Sequence, residues 1–190
     1  MRRLPWVLLL LASCSGHRVD LSVQAPATLH AEPHGYEEAR VLRTVDGDTI
    51  EVEVTARVDG PGAGEATTGE THTVRLLGID TPESVSPRAP VECFGREASA
   101  ATAALLDGAT VRLVKDVEER DGFDRLLRYV YLGAELANAR LVANGYAHAF
   151  TYPPNVRHAD LLVGLQRHAR HARRGLWSPD ACGRQSADSS

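Results

Sequence analysis

The sequence predicts an α+β protein that is mainly β: a small closed barrel of five strands with three helices packed against it. Three observations carry this expectation. Five short apolar or alternating stretches are separated by turn residues, three Ala- or Leu-rich stretches with helical spacing each end on a glycine, and no segment repeats another. A length of 190 residues with 43% hydrophobic composition suits one domain with appendages.

Residues 1–13 open with Arg2 and Arg3, run through an apolar core and reach Leu-Ala-Ser-Cys at 11–14, as a secretory leader does. The apolar run is too short to span a bilayer. The small residues before Cys14 match a lipobox, in which the cysteine is lipid-modified and becomes the first mature residue; the alternative is an ordinary leader with Cys14 incidental. Either reading exports the protein to a bacterial cell envelope, on the periplasmic or the surface face, and acyl chains on Cys14 would tether it to a membrane. Residues 14–38, of mixed polarity with Pro26, Pro33 and Gly35, read as a linker, 39–180 as the domain and 181–190 as a disordered tail. With Cys14 lipidated, Cys93 and Cys182 are the pair left in an oxidising compartment. They are expected to form a disulfide that ties the C-terminal end to the start of the first helix.

Strands are predicted at 41–45, 50–54, 73–77, 111–114 and 126–132. The first two flank Asp-Gly-Asp-Thr at 46–49, a hairpin signal that explains one aspartate but not two. Asp48 is placed to meet Asp80 if the first and third strands are neighbours. Residues 60–71, rich in Gly, Thr and Glu, read as a long exposed loop dispensable for chemistry. In the third strand Arg75 points to the face opposite Val74 and Leu76, so a guanidinium sits inside a strand. Gly78 and Pro82 then punctuate a turn carrying Asp80, Thr81 and Glu83. Hard oxygen ligands, a carboxylate for a water and an Arg fork within nine residues are what metal-assisted attack on a phosphodiester needs. The alternative for this stretch alone is a structural ion pair beside a Pro-stopped turn.

Helices are predicted at 94–106, with Gly108 beyond its end, at 135–144 and at 158–174. The charged, Gly122-containing loop before the last strand delivers Arg125. The last helix carries Leu161, Leu162, Leu165, Ala169 and Ala172 on one stripe with Arg and His opposite. His168 and His171 on that basic side read as solvated surface rather than as metal ligands, and Trp177 as a core anchor.

The motifs D-G-D-T, R-L-L-G-I-D-T-P-E, E-C-F-G-R-E-A, D-G-F-D-R-L-L-R-Y-V-Y, N-G-Y-A, Y-P-P-N and G-L-W-S occur in one order along residues 39–178. In that order and approximate spacing the chain resembles the staphylococcal nuclease family. The resemblance implies an OB-fold five-stranded barrel with three helices. It implies a calcium ion on Asp48, Asp80 and the carbonyl of Thr81, with Asp46 nearby. It implies Glu83 as general base or as the group orienting the attacking water, and Arg75 and Arg125 as the clamp on the scissile phosphate. The implied reaction is hydrolysis of DNA and RNA, single-stranded or frayed, by water attack on phosphorus to leave 3'-phosphate ends. The expected form is a monomer.

The chain also departs from the family pattern. Gly122 and Phe123 stand where the family prototype has a Lys and a Tyr on the neighbouring 3'-phosphate, and Asp124 replaces a glycine before Arg125. Phe150 and Tyr152 take the place of two tyrosines beside the nucleotide, so Phe123, Phe150 and Tyr152 are either base-stacking faces or local packing. The net charge of −4, which becomes −6 when Arg2 and Arg3 leave with the leader, argues against tight metal-free binding to a polyanion but leaves room for a local basic cleft. Two other readings compete. A binding module on the same fold would have lost some of Arg75, Glu83, Arg125 and the paired aspartates, all present here. A glycan-binding barrel would need more aromatics than 5% of the chain.

Overall fold

The protein is described by a computed structural model covering residues 18–84 and 91–182. Cys14 and the leader lie outside these residues. Two long strands, β1 (Tyr36–Asp46) and β2 (Thr49–Val58), form the expected hairpin across Gly47-Asp48. They are followed by β3 (Thr71–Leu76), the two-residue β4 (Ile79–Asp80), α1 (Gly95–Leu106), β5 (Thr110–Val114) and β6 (Leu126–Leu132). The chain ends with β7 (Glu135–Leu136), α2 (Ala137–Ala143), β8 (His148–Ala149) and α3 (Ala159–His171).

The sheet runs β3-β2-β1-β5-β6, and β6 returns to pair with β3 in parallel, closing the five-stranded OB-type barrel. Three register shifts in β1, after Glu38, Val41 and Thr44, bend it enough to serve both β2 and β5. Alternate residues of β1 and β2, among them Ala39, Val41, Ile50, Val52 and Val54, point inward to meet Leu76, Leu113 and Val130 in one core. α1 packs on β1, α2 on β6, and α3 on α2. Among the described residues no helix is long and apolar enough to cross a membrane.

Six expectations are corrected. β1 and β3 are not neighbours, because β2 lies between them. Asp48 still approaches Asp80, since the β2–β3 register pairs Thr49 with Arg75 and the Leu76 N–H donates to the Asp48 carbonyl at 2.9 Å.

Residues 18–35, expected as linker, form a strap along α2 and the β6–β7 turn. The Asp20 N–H donates to Tyr146 Oη at 2.8 Å, Val23 exchanges bonds with the Asn144 amide, and the Ala25 N–H donates to Glu135 Oε1 at 2.6 Å. Its far end is held by Glu32, which bonds His158 and Tyr131 and pairs with Arg157 at 2.7 Å. Val19, Leu21, Val23 and Ala25 alternate with the exposed Asp20, Ser22 and Gln24, and Val19, Leu21 and Ala25 pack on the core, so the strap is held by a short apolar edge as well as by backbone groups and side-chain amides.

The 60–71 loop is not free of the body. Gly62, Ala63, Gly64 and Ala66 are buried, and the Gly64 N–H donates to Glu37 Oε1 at 2.7 Å. A Cβ on Gly64 would lie 1.8 Å from Arg128 Nη2, so only glycine lets the loop lie over that arginine. Beneath it Arg128 and Glu37, both fully buried, are doubly bonded at 3.0 and 3.1 Å, and Arg128 also bonds Glu119.

The second helix starts later than expected. Glu135 and Leu136 pair with Leu132 and Tyr131 as a hairpin arm, and helix begins only at Ala137. The third ends at His171, before Arg173 at φ 53°. At the other end of the chain Cys93 and Cys182 are disulfide-bonded with Cα atoms 5.6 Å apart, so Cys182 belongs to the body and not to a tail.

Candidate active site

The site is built where the β1–β2 turn, the end of β3 and the start of β6 meet. Gly47 allows the turn to approach Thr81, since a Cβ there would stand 2.7 Å from Thr81 Oγ1. Thr102 of α1 holds the same turn by donating to the Gly47 carbonyl. This places Asp48, which is buried, beside the Thr81 N–H, 3.1 Å from Asp48 Oδ2.

Arg75 sits between the two aspartates. Its Nη2 lies 3.1 Å from Asp48 Oδ2 and 2.9 Å from Asp80 Oδ1. Its Nη1 donates to the carbonyls of Leu76 at 2.8 Å and Ile79 at 2.7 Å, so the fork is fixed from both sides. Thr49 extends the chain of contacts: its hydroxyl donates to Asp48 Oδ1 at 2.9 Å and accepts from Arg125 Nη1 at 3.3 Å. Both predicted arginines and both predicted aspartates therefore belong to one hydrogen-bonded row, Arg125–Thr49–Asp48–Arg75–Asp80.

Burial raises the Asp80 carboxyl above its ordinary range; Arg75 and His148 oppose this, and the negative charges of Asp48 and Glu92 add to it. Asp46 stands apart from the row, with Oδ1 accepting from the Gly47 N–H and from Ser84. Glu83 is half-buried on the turn after Asp80, its backbone N–H and carbonyl both tied to Glu92, which docks it on the start of α1.

Asp121 joins the site without a role implied by the resemblance. Its Oδ2 accepts from Arg125 Nε at 2.7 Å, while its Oδ1 accepts from the backbone N–H groups of Phe123 and Arg125 at 2.9 and 3.0 Å. Burial pushes this carboxyl up, but those bonds together hold it below its ordinary range. The available signal was an Asp-Gly turn four residues before the arginine it orients. Asp124 lies at φ 65°, a left-handed conformation that glycine adopts without strain, and it pairs with Arg120 at 3.3 Å rather than facing the site.

A groove of about 360 Å³ opens beside the row, lined by Arg75, Arg125, Asp121, Phe123, Phe150 and Tyr152 among others. The rings of Phe150 and Tyr152 stack at 6.5 Å with an interplanar angle of 15°. Phe123 is 83% exposed with the Arg125 guanidinium 5.4 Å from its ring centre, which rules out core packing for it. All three rings present faces to solvent, as stacking platforms do.

For a cation the donors on offer are hard oxygens: Asp48, Asp80 and the backbone at Thr81. Thr81 Oγ1 is buried with no hydrogen-bond partner among the described residues. Those residues contain no cluster of three or more His, Cys, Asp or Glu side chains, so an ion at this position relies on two carboxylates, backbone oxygen and water.

The chain is similar to known proteins over most of its length. Residues 73–179 match the family model described as staphylococcal nuclease homologue. The chain is 36% identical over 139 residues to a thermonuclease of Staphylococcus hyicus, covering 73% of this chain and 75% of the relative. A thermonuclease of Staphylococcus intermedius is 37% identical over 137 residues, covering 72% and 74%. An SPbeta prophage-derived endonuclease of Bacillus subtilis is 33% identical over 138 residues, 72% of this chain and 42% of that longer protein.

Proposed function

The chain belongs to the staphylococcal nuclease family, and on that premise we propose a calcium-dependent nuclease that hydrolyses DNA and RNA strands without sequence preference, leaving 3'-phosphate ends. The observation that carries the reading is the row Arg125–Thr49–Asp48–Arg75–Asp80 beside a groove of stacked rings. A binding module on the same barrel has no need to hold two arginines and two carboxylates in such order.

The residues divide the work. Asp48, Asp80 and the Thr81 carbonyl would hold the cation, and the oxygen-only donors fit calcium better than a thiophilic or imidazole-preferring metal. Calcium bound there would polarise a phosphoryl oxygen and offset the charge gathered on phosphorus. Arg75 and Arg125 present guanidinium forks along one wall of the groove, and planar forks match phosphate oxygens in pairs. Their positive charge opposes the extra negative charge of the five-coordinate transition state, and Arg125 also assists departure of the 5'-oxygen. Glu83 takes the proton of the attacking water or orients that water. Phe150 and Tyr152 stack on the base, and Phe123 supplies a ring without the polar contacts that a Lys-Tyr pair would offer the adjoining phosphate.

The leader and Cys14 support an exported, lipid-anchored form, which labelling with a palmitate analogue in wild type but not Cys14→Ser would test. The central test is cleavage of labelled single-stranded DNA and RNA with calcium and with chelator, beside Glu83→Gln. Calcium-dependent cutting that Glu83→Gln suppresses is the expected result. A folded wild type that binds the strand and cuts nothing across several divalent ions would transfer the protein to the binding-module class.

A further inference from the structure

One strongly charged surface takes no part in the site just described. Between 167 and 174 the chain carries Arg167, His168, Arg170, His171, Arg173 and Arg174. None of the six has a carboxylate partner within 4.0 Å among the described residues, whereas Arg43, Arg120, Arg140 and Arg157 elsewhere each pair with one. In a mature chain of charge −6 this is a concentrated positive face.

Its position is the second observation. The end of α3 is fastened to β8 by Gln166, whose Oε1 accepts from the Ala149 N–H at 2.8 Å. On β8, His148 pairs with Asp80 of the row. The His148 ring meets the edge of Trp177 at 5.0 Å, and the Arg170 guanidinium covers Trp177 at 4.8 Å. His148, Trp177 and Arg170 are thus a continuous path from Asp80 to the basic face. In the other direction along the same chain lies Phe150, two residues on from His148, with its N–H on the Gly78 carbonyl at 2.9 Å. The Asp80 end of the row therefore adjoins the basic face through His148 and the ring-lined groove through Phe150.

We propose that the basic end of α3, entered through His148, Trp177 and Arg170, is a second contact surface for the substrate strand, holding phosphates beyond those in the groove. This rests on the nuclease reading for its substrate class. The chemistry is that of a polyphosphate backbone met by exposed guanidinium groups, where affinity comes from counterion release and carries no base preference. It also accounts for how an acidic protein handles a polyanion: the repulsive body is bypassed along one cationic track.

The test measures binding of labelled single-stranded DNA of 5 and 30 nucleotides to the full chain in excess chelator, which stops cutting, across a salt series. The variant is Arg167→Gln, Arg170→Gln and Arg173→Asn together, the asparagine suiting the φ of 53° at that position. The 30-mer is expected to bind about tenfold more weakly, and the slope of log affinity against log salt to fall by about two, at ~0.7 per phosphate contact. The pentamer should bind unchanged. In calcium the KM for the long strand should rise with kcat unaltered. Should the triple variant misfold by circular dichroism, Arg167→Glu alone, at an exposed and unpaired position, reads the same slope.

Equal affinity and equal slope for a folded variant would overturn the proposal, as would equal losses on both strand lengths. Loss of binding to phosphatidylglycerol vesicles without loss on the strand would assign the face to a membrane and overturn it too. Failure of the nuclease reading shows separately, as a wild type that cuts nothing in calcium while the binding comparison still reports on the face.

Discussion

Asp121→Asn isolates the orientation of one guanidinium from its presence. The asparagine keeps Oδ1, and with it the acceptor for the N–H groups of Phe123 and Arg125 at 2.9 and 3.0 Å, so the turn should survive. What it loses is the charge and the Oδ2 acceptor 2.7 Å from Arg125 Nε, replaced by an amide donor facing a donor. A hydrogen bond to a charged group contributes about 1.5–3 kcal/mol. If about 2 kcal/mol of it is realised in holding Arg125 against the transition state, kcat/KM falls about thirtyfold. Stability should fall much less, by about 0.5–1 kcal/mol, because the pair is partly open to solvent. The assay is steady-state cleavage of a single-stranded substrate with urea unfolding alongside, for Asp121→Asn, Arg125→Lys and the double variant. Because Asp121 acts through Arg125, the double variant should cut scarcely less than Arg125→Lys alone. Additive losses, or a stability loss with unchanged kcat/KM, would refute a positioning role.

Three further outcomes follow from the same geometry. Arg128→Met strands the fully buried Glu37 carboxylate and should cost about 3–5 kcal/mol in urea unfolding, with part restored by adding Glu37→Gln; a loss under 1 kcal/mol would show that the buried pair is not coupled. Glu32 is pushed up by burial but held below the ordinary carboxylate range by bonds from His158 and Tyr131 and by Arg157. Its stabilisation is therefore complete above the ordinary glutamate pKa of about 4.3 and is lost as pH falls through its lower folded value. Hydrogen exchange of the strap should accelerate in that window in wild type, and Glu32→Gln should flatten the dependence. Replacing Cys93 and Cys182 by serine opens a loop with sequence separation 89 and should cost up to about 4.6 kcal/mol by chain entropy, read as a shift in the urea midpoint.

The parts of the fold legible in the sequence are those whose signal is local. The alternation of β2, the mainly apolar and aromatic run of β6, the Ala-rich α1 with Gly108 at φ 75° beyond it, and the Asp-Gly hairpin are each specified by residues next to one another. The strap failed to show because its attachments, Asp20 to Tyr146 and Glu32 to His158, each span more than a hundred residues. Glu135 was taken into a helix because its local propensity is helical, while pairing with Leu132 made it strand.

The site divides in the same way. Arg75, Asp80, Thr81 and Glu83 were readable because one strand-turn carries them, and Asp48 because a hairpin needs only one of its two aspartates. The sequence by itself therefore determined the barrel class and most of the residues that the fold gathers at the candidate site. Only the tertiary structure decided that β2, not β1, lies beside β3, that Asp121 and Thr49 join Arg125 to Asp48, and that the basic end of α3 adjoins Asp80 through His148 and Trp177. The physical reason is range: side-chain type and period act within a few residues, whereas these contacts form only when barrel closure has brought distant segments to within hydrogen-bonding distance.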